Sequence, residues 1–78
     1  MKKQRKVIIL FSRFCLENNL EYKVDFFSSG FICLENKIFI LQVDKTGLAT
    51  VYIRKTGEIL RCKTQIQVVF EKIFQQLV

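Results

Sequence analysis

The chain has 78 residues; half are apolar and 26% charged, and 13 Lys and Arg outweigh seven acids for a net charge of +6. A chain this short buries only about 60% of the surface that its unfolded form exposes, so one core and a single domain over 1–78 are expected. The apolar content excludes intrinsic disorder, and the absence of His excludes the usual general base and the Ser-His and Cys-His nucleophile pairs.

The chain opens on Met1-Lys2-Lys3-Gln4-Arg5-Lys6. Lys2, Lys3, Arg5 and Lys6 oppose the positive pole of a helix that follows, so residues 1–6 are expected to splay into solvent as a basic flexible arm. The apolar run Val7-Ile8-Ile9-Leu10-Phe11 breaks at Ser12-Arg13. A signal peptide needs about 7–15 apolar residues and a membrane span about 20, so a cytoplasmic chain with no membrane role is expected. Val7, Ile8, Leu10, Phe11, Phe14 and Cys15 fall on one helical stripe. Asn18-Asn19 tolerates the left-handed backbone and closes that helix near Asn19.

The period then shortens to two. Leu20, Tyr22, Val24 and Phe26 alternate with Glu21, Lys23 and Asp25 as a half-buried strand, and Ser28-Ser29-Gly30 supplies a turn. Phe31 to Leu34 and Ile38 to Val43 read as central strands joined at Glu35-Asn36-Lys37, with Asn36 expected at positive φ. Asp44-Lys45-Thr46-Gly47 marks the next hairpin, Leu48 to Arg54 a fourth strand, Lys55-Thr56-Gly57 a further turn, and Glu58 to Cys62 a short fifth strand. Thr64-Gln65-Ile66-Gln67 matches a capping box, and Ile66, Val69, Phe70, Ile73, Phe74 and Leu77 form the apolar face of a terminal helix. The expected fold is α+β: an N-terminal helix, a five-stranded antiparallel meander sheet and a C-terminal helix, in the order α-β-β-β-β-β-α.

Cys15, Cys33 and Cys62 make no paired framework and no CxxC, and without His a metal site lacks ligands. All three read as small apolar core residues, and no metal or cofactor is expected. The central strands are apolar on both faces: Phe31 with Cys33 opposes Ile32 with Leu34, and Ile38 with Ile40 opposes Phe39 with Leu41. Either one helix covers each face, or one face is left for a second copy of the chain or a larger protein. Phe31, Cys33, Phe39 and Leu41 are the candidate interface residues.

The charge imbalance attracts polyanions, nucleic acid first among them. Lys2, Lys3, Arg5 and Lys6 form one candidate contact group, and Arg54, Lys55, Arg61 and Lys63 a second near the last hairpin; a solvated surface is their alternative role. Tyr22 and Tyr52 are candidates for base stacking, joined by Phe26, Phe27 and Phe31 around the first turn. Asp25 with Glu35-Asn36-Lys37 resembles the Asp, Glu-x-Lys pattern of metal-dependent nucleases of the PD-(D/E)xK class. That resemblance implies Mg²⁺ held by Asp25 and Glu35, with Lys37 steadying the attacking water. It covers three positions, Glu21-Tyr22-Lys23 fits Glu-x-Lys equally well, and the class asks for a helix after the third strand that is not expected here. The leading expectation is a small basic non-enzymatic binding module, homodimeric, that contacts DNA, RNA or a nucleic-acid-bound partner. A protein-binding accessory or inhibitor using an apolar sheet face comes second, and the nuclease-like site third.

Overall fold

A computed structural model describes residues 2–62 and 66–77. The expected order is present: α1 (Lys2–Glu17), β1 (Lys23–Phe26), β2 (Ile32–Glu35), β3 (Phe39–Val43), β4 (Ala49–Ile53), β5 (Ile59–Cys62) and α2 (Ile66–Gln75). The strands form one sheet in chain order, each antiparallel to the next.

Helix α1 departs from expectation at its start. It begins at Lys2, so the basic residues expected as a flexible arm are its opening turns. The cause is Gln4, which is buried and donates through Nε2 to the Gly30 carbonyl at 2.7 Å and the Val43 carbonyl at 3.1 Å. A buried carbonyl left without a donor costs about 1–3 kcal/mol. That exceeds the roughly 0.3–1 kcal/mol by which a cation in the first turn opposes the helix dipole. The other end closes as its asparagines predict: Asn19 has φ of 57°, and the Leu20 N–H reaches back to the Cys15 carbonyl at 2.8 Å. Leu20 is consumed by this closure, which is why β1 starts only at Lys23.

One face of the sheet is dry. Val24, Leu34, Leu41, Val51 and Leu60 lie side by side across the five strands, and Phe26, Ile32, Val43, Ala49 and Cys62 form the neighbouring row, in which Phe26 alone, at the β1 edge, is exposed. Val7, Phe11, Phe14 and Cys15 of α1 pack on this face together with Val69 and Ile73 of α2. Phe70 of α2 knits the two helices together, stacked on Phe14 at 4.7 Å and edge-on to Phe11 at 4.8 Å. Both helices therefore cover the same face, and the arrangement with one on each face is not adopted. Five strands spaced about 4.8 Å apart make a sheet roughly 20 Å across, wide enough for two helices whose axes lie about 10 Å apart.

Two local expectations are corrected. Asn36 is not at positive φ; among the described non-glycine residues Asn19 is. Asn36 instead makes its turn with its side chain, accepting at Oδ1 from the Ile38 and Phe39 N–H groups and donating through Nδ2 to Cys15 Sγ at 3.3 Å. Cys15 and Cys62 are core residues as expected, but Cys33 lies half-buried on the opposite face of the sheet. Thr64 and Gln65 of the expected capping box lie outside the described residues. No helix among the described residues is long and apolar enough to cross a membrane.

Candidate nucleic-acid interface

The meander brings the β1–β2 and β3–β4 turns to one end of the sheet, and the start of α1 is seated between them by Gln4. Gly47, at φ of 90°, permits this seating: a Cβ there would lie 2.8 Å from Lys3 Cβ. Gly30, at φ of 94°, gives way to Lys45, whose aliphatic chain would collide with a Cβ at that position. The β3–β4 turn is fixed by Asp44, whose Oδ1 accepts from the Thr46 hydroxyl at 2.6 Å, the Thr46 N–H at 2.9 Å and the Leu48 N–H at 3.0 Å. These bonds, that of the Thr46 hydroxyl foremost, hold the Asp44 carboxyl below its ordinary value of 3.8.

The result is a basic end. Lys3 and Lys6 line a cleft of about 380 Å³ with Val7, Leu10, Thr46, Gly47 and Ile66. Arg5, Lys6 and Arg13 flank a shallower groove along α1 floored by Ile9 and Leu10. Phe26 and Phe27, beside the Gly30 turn, are 76% and 51% exposed. The first turn of α1 holds no acid, and Glu17 is the first acid of the chain. The ion pairs among the described residues are Arg54 with Glu35 at 3.3 Å and Lys72 with Glu58 at 2.8 Å. Lys3, Arg5, Lys6, Arg13 and Lys45 thus carry their charge without an ion-pair partner among the described residues, and the positive pole of α1 adds to Lys3 and Arg5 in its first turn.

The other expected contact residues are dispersed. Arg54 is a clamp at the opposite end of the sheet, its Nε donating to the Asn36 carbonyl at 2.8 Å and its Nη2 to Glu35. Lys55 is exposed in the adjoining β4–β5 turn, and Arg61 is exposed on β5 across from Thr50. Lys63 lies outside the described residues, and Lys2 opens α1. Tyr52 stands on the face without helices, while Tyr22 lines a depression beside Leu16, Asn19 and Leu20 near the end of α1. Phe26 and Phe27 are the exposed aromatic side chains beside the Gly30 turn, against which Lys45 packs. Sequence reading missed Lys45 and Arg13: spacing alone gives no sign that Lys45 lies across Gly30, fifteen positions away.

The candidate interface residues also divide. Phe39 and Leu41 are fully buried beneath the helices, whereas Phe31 and Cys33 belong by alternation to the other face. Pairing Leu34 with Leu41 puts those two on one side, which sends Cys33 and Ile40 to the other. The Cys33 thiol is pushed up by burial and, less strongly, by the Glu35 and Asp25 carboxylates. Of the nuclease-like triplet, Asp25 and Glu35 occupy different cross-strand rows, Glu35 is engaged by Arg54, and Lys37 is exposed at the β2–β3 turn. The described residues hold no group of three His, Cys, Asp or Glu side chains able to hold a metal ion. The chain matches no protein-family model, and searches of curated proteins and of solved structures find no match.

Proposed function

We propose that this chain is a small binding module, without catalytic chemistry of its own, that grips single-stranded nucleic acid with its basic end. The carrying observation is that Lys3, Arg5 and Lys6 of α1 and Lys45 of the β3–β4 turn, without ion-pair partners among the described residues, lie at the end of the sheet where the β1–β2 turn exposes Phe26 and Phe27. Lys and Arg displace counterions from phosphates, and exposed rings give unpaired bases a stacking surface, which a duplex does not use. In this reading the chain works in a reducing, cytosol-type compartment, in keeping with three cysteines that form no paired framework.

The test is fluorescence anisotropy with labelled single-stranded RNA, single-stranded DNA and a duplex of equal length. Single strands are expected to bind more tightly, and Phe27→Ala to weaken them by about five- to 160-fold, the effect of losing roughly 1–3 kcal/mol of stacking. Absence of binding to every probe at low ionic strength overturns the reading.

A further inference from the structure

None of the described residues covers the face of the sheet opposite the helices, and the strand register sorts its side chains into two rows. One row runs Lys23, Glu35, Ile40, Tyr52, Ile59 from β1 to β5. The other runs Asp25, Cys33, Gln42, Thr50, Arg61. The first carries an apolar band from Ile40 to Ile59, with Tyr52 39% and Ile59 60% exposed. The second has an acid at the β1 edge, a base at the β5 edge and an amide at its centre.

Such a pattern is complementary to itself. A two-fold axis running along β3, in the plane between two facing sheets, sets β1 of one chain over β5 of the other, β2 over β4, and β3 over its own copy. Asp25 then meets Arg61 of the second copy, twice by symmetry. Glu35 meets the Tyr52 hydroxyl, Ile40 meets Ile40, and Gln42 meets Gln42, an amide able to donate and accept at once, while Lys23 lies over Ile59 at the rim, where its ammonium reaches water. The alternative axis, across the strands, lays each row on the other; it pairs Lys23 with Asp25, but it presses Gln42 onto Ile40 at the centre of the face, removing the amide from water without a partner.

We infer that this open face is the interface of a homodimer, formed about a two-fold axis along β3 with Asp25 against Arg61 of the second copy. An axis along the strands leaves both chains pointing the same way, so their two basic ends share one side of the dimer. The inference stands on the register and charges of the open face and is independent of nucleic-acid binding.

Sedimentation equilibrium at about 0.3 M salt, where the mutual repulsion of two +6 chains is screened, tests it. The expected mass is twice the 9.3 kDa of the chain. Asp25→Arg and Arg61→Asp should each weaken the dimer by about tenfold or more, and the two together should recover most of that loss. Ile40→Lys, which sets two cations together at the axis, should leave a monomer; circular dichroism should show these variants folded, because all three side chains lie off the core. A wild-type monomer at about 100 μM overturns the inference. So does a dimer indifferent to both charge reversals, as one joined through the β5 edge would be, or one in which Asp25→Lys is rescued by Lys23→Asp.

Discussion

Replacing Lys3, Arg5 and Lys6 together by Gln should weaken nucleic-acid binding and stabilise the fold, two effects of opposite sign from one set of charges. Each phosphate contact to a single strand contributes about −0.7 to the slope of log K against log salt, so five cations give roughly −3.5 and the two remaining give roughly −1.4. Between 0.05 and 0.2 M salt the wild type should lose affinity about 100-fold and the triple variant about sevenfold. Gln matches Lys and Arg in helix propensity, so the stability change reports charge. Removing Lys3 from the positive pole of α1 should contribute about 0.5 kcal/mol, or 2–4 °C in Tm for a domain of this size. Anisotropy titrations at several salt concentrations and thermal melts of both proteins supply the numbers. Equal salt slopes, or a fall in Tm, would refute the reasoning.

Three further changes probe the elements that build this end and its opposite. Gln4→Leu removes both side-chain bonds, to the Gly30 and Val43 carbonyls, and should cost about 1–3 kcal/mol in urea unfolding; a change under about 0.5 kcal/mol would remove Gln4 as the reason α1 starts at Lys2. Asn36→Ala should cost at least about 2 kcal/mol, and Asn36→Gly should do no better, because the turn depends on the asparagine side chain and not on positive φ. For Asp44 the sign follows from its lowered pKa: its hydrogen bonds contribute stability that is fully present above the ordinary value of 3.8 and is lost as pH falls through the lower folded value. Asp44→Asn keeps the Oδ1 acceptor but cannot titrate, so its urea midpoint should fall less steeply than that of the wild type between about pH 4 and pH 2; parallel curves would count against the assignment.

The element order was legible because each element announces itself locally. Alternation in β1, Gly at three turns, the Asn pair after α1 and the apolar spacing of α2 are all short-range signals. What escaped is long-range. The local dipole argument correctly marks Lys2 to Lys6 as unfavourable at a helix start, but Gln4 overrides it through carbonyls 26 and 39 residues away. Asn36 looked like a residue chosen for its backbone, and the buried thiol of Cys15, 21 positions distant, shows that it serves through its side chain. The candidate interface mixed two faces because periodicity within β2 and within β3 is clear, while the phase between them depends on the β2–β3 turn. Arg54 and Lys55 sit near Arg61 in sequence, yet Arg54 belongs to the Asn36 turn at the far end.

The features that break local rules fall in two places, and each has a physical reason to be tolerated there. Cations on a positive helix pole and exposed phenylalanines occupy one end; partly apolar strands facing water occupy the sheet opposite the helices. Salt separates the two. Contacts to phosphate weaken as salt rises, whereas two chains of charge +6 repel less, so the proposed interface between them should gain from salt more than its Asp25–Arg61 pairs lose. A polyanion laid across both basic ends of the dimer would lower that repulsion as salt does, and by reciprocity dimerisation would tighten the grip on the polyanion. Were both proposals to hold, the excess positive charge would serve both as the ligand contact and as the element that makes assembly responsive to the ligand.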